Sequence, residues 1–349
     1  MKRTIITTLA VTALFGITAC KGGASAAGAK LIPEQATILV GVDVAGLMKS
    51  SLYTANKAML EARGKDVMEA AKGCNLDPEK AIKSVLVGTD AKDGVAVVVT
   101  GDGIGDEKNL KCVAEKAKEK NGGKEPFTIV EEGGKKVLKM ERDDGMGWII
   151  DGSTLLIASK PWVATVKDLA EGKGKSALDG ANKAVFDRAD QSKHIWAAGV
   201  MPAGVGKLPM GMGEVKDAAG SLDLSSGLGL KISATLGSAD EATKIKAEAD
   251  KNLPQAKAGL AIVGLPATLL DSVKIDASGP QLSVSVSISE ADMKTIQEKA
   301  SGLAGMAGMF GGGGGGGGGM TPPAEPAMPS EPPAGGAPAG APAGAPPSE

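Results

Sequence analysis

The 349 residues carry 39 basic and 41 acidic side chains, a formal net charge of −2. A surface so balanced offers no basic field for a phosphate backbone and argues against nucleic acid as a partner. With aromatics at 2% and a single histidine, stacking platforms for sugars or bases are poorly supplied, and centres built on several histidines are excluded.

Lys2 and Arg3 precede an uncharged apolar stretch from Ile5 to Ile17, which closes on the small residues Thr18 and Ala19. That is the three-part pattern of a secretory signal. The stretch is too short to cross roughly 30 Å of hydrocarbon, which takes about 20 residues. Ile17-Thr18-Ala19-Cys20 resembles the lipobox of bacterial lipoproteins: an aliphatic residue, two small residues, then cysteine. The resemblance implies that Cys20 takes a diacylglycerol on its sulfur, that a peptidase cuts between Ala19 and Cys20, and that the new amine is acylated. Two or three acyl chains hold where one alone binds marginally. The resemblance further implies a periplasm-facing protein of the cell envelope. Lys21 stands where some lipoproteins carry an inner-membrane retention aspartate, which points to the outer membrane. Cleavage would remove Lys2 and Arg3 and leave the mature surface more acidic.

Residues 20–30 are Gly, Ala, Ser and Lys after the cysteine and read as a flexible tether. Thr37 to Val44 is a first strand. Ala45 to Ala71 has helical periodicity with Gly64 as a break, and Asp77-Pro78 opens a short helix. A strand, a capping residue and an amphipathic helix then recur. Val95 to Thr100 leads to Asp106 and a helix from Glu107 to Lys120. Phe127 to Ile157 reads as a meander, with turns at Glu132-Gly133-Gly134, Asp143-Asp144-Gly145 and Asp151-Gly152-Ser153. Thr154 to Ala158 leads to a helix from Pro161 to Ala170, and Ile195 to Val200 is a further strand. Leu228 to Leu236 precedes a helix from Ala239 to Leu253, and Leu282 to Ile288 one from Glu290 to Ala300. Ser238 with Glu241 and Ser289 with Asp292 have capping-box spacing.

Leu282, Val284, Val286 and Ile288 alternate with Ser and Gln, and Leu228, Leu230, Ile232 and Ala234 alternate likewise. Such strands have one apolar and one wet face, so the class is α+β: antiparallel sheets covered on one face by amphipathic helices. Two related halves, 31–190 and 191–300, are expected from the repeated strand–helix pattern. Residues 301–349 are dominated by a glycine run followed by Pro, Ala and Gly, with almost nothing to bury, and should be disordered.

With Cys20 lipidated, Cys74 and Cys112 remain. In an oxidising periplasm such a pair usually forms a disulfide, worth roughly 4 kcal/mol for a loop of this length. Two buried thiols or a metal site with His194 are the alternatives.

The remaining candidates read as structural. Gly101-Asp102-Gly103-Ile104-Gly105 follows a strand, but an acid, Asp106, takes the place of the third glycine of a dinucleotide loop. Gly174-Lys175-Ser176 lacks the earlier glycine of a phosphate loop, with Leu169 in its place. His194 borders a strand, and Asp90, Asp93, Asp143 and Asp144 sit at turns where they serve the local backbone. Met201 to Met212 holds three methionines in a Pro/Gly loop, a pattern that can bind Cu(I) but also serves as loop filler. No cofactor or metal is expected. The sequence is read as a membrane-anchored envelope lipoprotein with a non-enzymatic binding or structural role and an envelope protein as possible partner. An enzyme of unrecognised type and a carrier of an apolar ligand are the alternatives.

Overall fold

The computed structural model describes residues 26–299, apart from 75, 121, 142–143, 181, 203–204, 209–212, 263–266 and 297. The signal, the lipobox and the segment from 301 onward lie outside the described residues. The first half contributes β1 (Ile38–Asp43), β2 (Ser84–Thr89), β3 (Val95–Thr100), β4 (Phe127–Glu132), β5 (Lys135–Met140), β6 (Met146–Asp151) and β7 (Thr154–Ala158). The second contributes β8 (Ile195–Val200), β9 (Val215–Asp223), β10 (Leu228–Leu236), β11 (Lys274–Ser278) and β12 (Gln281–Ile288). The helices are α1 (Ala26–Ala29), α2 (Val44–Lys49), α3 (Ser51–Gly73), α4 (Pro78–Ala81), α5 (Glu107–Lys120), α6 (Val163–Ala170), α7 (Asn182–Phe186) and α8 (Ala239–Ile262).

Among the described residues the strands form one twelve-stranded sheet, ordered β11-β12-β10-β9-β8-β1-β2-β3-β7-β6-β5-β4. Its pairings are antiparallel, as expected for the α+β class. The sheet runs unbroken through the boundary at 190, because β1 pairs with β8 from Ile38↔Gly199 to Val42↔Ile195. Either side of that joint the layout is alike. Three strands run outward as a meander and a helix follows, α5 or α8. The chain then goes to the sheet edge and returns, so that the last strand lies beside the third: β7 on β3, and β12 on β10.

At its centre the sheet is covered on both faces, more fully than the alternation of β10 and β12 alone implies. Val42, Val85, Val97 and Val99 face the layer of Val44, Met48, Tyr53 and Ile104. Leu39, Leu86, Val98, Leu156 and Trp196 face the opposite way, onto Ala29, Val166, Val185 and Phe186. The reason is visible in β1 to β3, whose Ile38-Leu39-Val40, Val85-Leu86-Val87 and Val95 to Val99 are continuous apolar runs suited to burial on both sides. The alternating β10 and β12 stay at the less buried end, where Ile232 is 41% exposed.

Three further expectations change. The flexible tether ends before α1: Ala29 is fully buried in the core, and Gly28 approaches the side chains of Leu86 and Val98. Only small residues fit under the sheet so closely. The helical stretch from Ala45 breaks at Ser50, whose hydroxyl accepts from Tyr53 N–H to cap α3, and Gly64 lies within that helix. The helix from Ala239 runs past Leu253 to Ile262, with Pro254 inside it.

Candidate functional site

The expected lipidation site, Cys20, and the cleavage position after Ala19 lie outside the described residues. The expected disulfide is formed. It joins Cys74, at the end of α3, to Cys112 on α5, with an S–S distance of 2.12 Å and Cα atoms 5.6 Å apart. The bond ties these two helices to each other.

His194 is engaged by the backbone. Its Nδ1 accepts from Leu224 N–H at 3.0 Å, and its carbonyl accepts from Asp43 N–H at 2.7 Å. It therefore joins the end of β1 to the end of β9. Asp223 beside it is held well below the usual carboxylate range, first by the bond from Lys193 and then by Ser225.

The glycine turn at 101–105 packs against backbone. Gly101 N–H donates to Ser153 O at 2.8 Å and Gly105 N–H to Gly152 O at 3.2 Å, and a Cβ on Gly101 would lie 1.7 Å from Ala81 O. It is a close-packed corner with no room for a phosphate. Gly174-Lys175-Ser176 follows the end of α6, where Ser176 bonds Asp179. Asp90 accepts from Lys92 and Gly94 N–H, as expected of a turn residue. Asp93 serves through its carbonyl, which accepts from Ser159 Oγ at 2.8 Å, and Asp144 pairs with Lys160 at 2.6 Å. Asp143, Met210 and Met212 lie outside the described residues, so the copper alternative does too. Among the described residues there is no group of three or more His, Cys, Asp and Glu able to hold a metal.

The concave feature lies where β5 and β6 part. Their ladder runs only from Lys139↔Met146 to Val137↔Trp148. The next rung, Lys136 opposite Ile149, is not formed. Two local features account for this. The β6–β7 register shifts between Ile149 and Asp151, leaving Ile150 as the extra residue of a bulge, and a bulge bends its strand and increases its twist. On the other side, Gly133 and Gly134 (φ 59° and 75°) close a two-residue turn that keeps β5 with β4 down to Glu132↔Lys135. The two hairpins diverge, and a cavity of about 360 Å³ opens between them, lined by Gly134, Lys135, Lys136, Trp148, Ile149, Ile150 and Ala170. That is at the lower end of the range for small-molecule sites. The Trp148 side chain, almost fully buried, forms part of the wall.

The charged residues that line the cleft, Lys135 and Lys136, are both engaged. Lys136 is bonded to Glu107, which Lys111 also contacts at 2.7 Å. These bonds, that of Lys111 first, lower the Glu107 pKa to about 2. Glu132 is lowered by Lys139 and Glu171 by Lys173, each through a side-chain hydrogen bond. Lys135 Nζ donates to Ala170 O at 3.2 Å, at the end of α6. Glu132 and Glu171, which line the neighbouring hollow with Lys167, are thus ionised and occupied at neutral pH.

None of the cleft residues was marked as a site by the sequence. The turn at Gly133-Gly134 was legible, but the bulge was not, because Trp148-Ile149-Ile150 is an unbroken apolar run that gives no sign of a register change.

No family model and no curated protein matches the chain. A solved structure titled "Structure of crystal form I of TP0453" is similar over 77% of this chain and 95% of that one, at 10% identity and a TM-score of 0.43.

Proposed function

We propose that the chain is a lipid-anchored envelope protein, tethered through Cys20 to the outer membrane, whose folded region binds a ligand or partner without transforming it. The interrupted β5–β6 ladder carries this reading: it leaves a concave, apolar-walled cleft inside an otherwise continuous sheet. The two lysines that line the cleft are both engaged, Lys136 by Glu107 and Lys135 by Ala170 O, which supports recognition over proton transfer. No described helix is long and apolar enough to cross a membrane, so attachment in this reading rests on the lipid.

Two measurements test it. The full chain should fractionate with membranes. A photoreactive residue at Lys167, on α6 beside the cleft, should give defined crosslinks in native envelopes, and Ile149→Trp, which fills the cleft, should remove them. Crosslinks unchanged by the filled cleft would overturn the site.

A further inference from the structure

We infer that the cleft takes a small amphipathic anion, an alkyl carboxylate, whose charge lies between Lys135 and Lys167 and whose apolar body lies against Trp148 and Ile150. The inference rests on the binding role proposed above and adds the class of ligand. The cleft and the neighbouring hollow share Lys135, Trp148 and Ala170 as lining residues, so both lie under the end of α6. Lys167 and Ala170 are three residues apart on α6 and so share one side of that helix. Lys135 begins β5 on the facing wall. Two lysines thus line one space from opposite sides, one on a helix and one on a strand.

Neither of these lysines has a carboxylate of its own. Lys135 Nζ donates to Ala170 O, a neutral acceptor. The carboxylates of the hollow are bonded elsewhere, Glu132 to Lys139 and Glu171 to Lys173. Lys167 and Lys135 act on Glu171 through charge alone. An ammonium has three donors, and a bond to a carboxylate is stronger than one to a neutral carbonyl. An entering carboxylate therefore gains more from Lys135 than Ala170 O gives it. The rest of the ligand meets apolar wall, because Trp148 belongs to the core and Ile150 packs against it. The way in lies beside Gly134, where an added Cβ would meet nothing within 4 Å. A neutral apolar molecule would leave both charges unanswered, and a cation would be repelled.

The test uses the full chain and three probes with the same alkyl chain: octanoate, octanol and octyltrimethylammonium. Binding is read from the Trp148 indole resonance. Octanoate should shift it at the lowest concentration and octyltrimethylammonium at the highest. Lys135→Met and Lys167→Met should each weaken octanoate about fivefold, the upper range for a partly exposed ion pair, and leave octanol unchanged. Ala170→Phe, which fills the space under α6, should abolish the octanoate shift. A shift that survives in this variant, at an unchanged melting temperature, would place binding elsewhere and overturn the inference. If the three probes bind alike, or if the lysine variants bind octanoate as the parent does, the anion class is wrong and the binding role stands. If no probe shifts Trp148, the inference fails, and the crosslinks at Lys167 decide the binding role on their own.

Discussion

Trp196 lies over Gly41 on the rung where the two halves of the sheet meet. The residues are direct partners across β1 and β8, and a Cβ on Gly41 would sit 2.2 Å from the indole ring. Phe186 meets the same ring edge-on, with centroids 5.1 Å apart. Gly41→Ala should therefore destabilise the fold by about 1–3 kcal/mol through overpacking. The cost should shrink in a Trp196→Phe background, where the ring is smaller. Urea unfolding of the two single variants and the double variant checks it, and additive effects would mean that the ring is not what excludes the methyl.

The disulfide offers a second test. Cys74 and Cys112 are 38 positions apart, and opening a loop of that length should cost about 4 kcal/mol in the chain-entropy treatment. Replacing both by alanine should lower the urea midpoint, and reducing agent should then have no further effect. A midpoint equal to that of the oxidised parent would mean the staple adds nothing.

Acid sensitivity should centre partly on Glu107. Its folded pKa is about 2 against a reference of 4.5. A carboxylate lowered in the folded state stabilises above its unfolded pKa, and that contribution fades as pH falls from 4.5 towards 2. Glu107→Gln should flatten this part of the stability profile and leave the rest unchanged. The contacts are solvent-exposed, so added salt should weaken the effect.

The anchor is tested at Cys20. Cys20→Ala should abolish lipidation and leave the chain unprocessed or released from membranes. A variant that is correctly cleaved and still fully membrane-bound would end the lipobox reading.

Much of the second half was legible in the sequence. The alternation of β10 and β12 is plain, and both serine N-caps form: Ser238 Oγ accepts from Glu241 N–H at 3.2 Å, and Ser289 Oγ from Asp292 N–H at 3.1 Å, while the Glu241 carboxylate reaches Gly237 N–H and that of Asp292 the Ser289 hydroxyl. Helix α5 begins and ends where its charge pattern placed it. Strand β9 has little sequence signal because Val215–Asp223 is built of small and polar residues with no apolar alternation, and it is ordered by its neighbours β8 and β10. Strand β11 is short and charged at Lys274 and Asp276, which suits an edge but gives a weak signal. The cleft depends on a register change at Ile150 and on the divergence of two hairpins, both products of tertiary geometry.

The joint between β1 and β8 also sets an order of events. Ile38–Asp43 is made early, yet one of its two partners, Ile195–Val200, follows more than 150 residues later. Until then a nascent chain can pair β1 only with β2, and its other side, Ile-Leu-Val-Gly-Val, is bare. Such an edge recruits other chains as readily as its own. A chain synthesised from its N-terminus thus has an exposed interval that closes only when the second half arrives, and a holding chaperone would matter most during that interval.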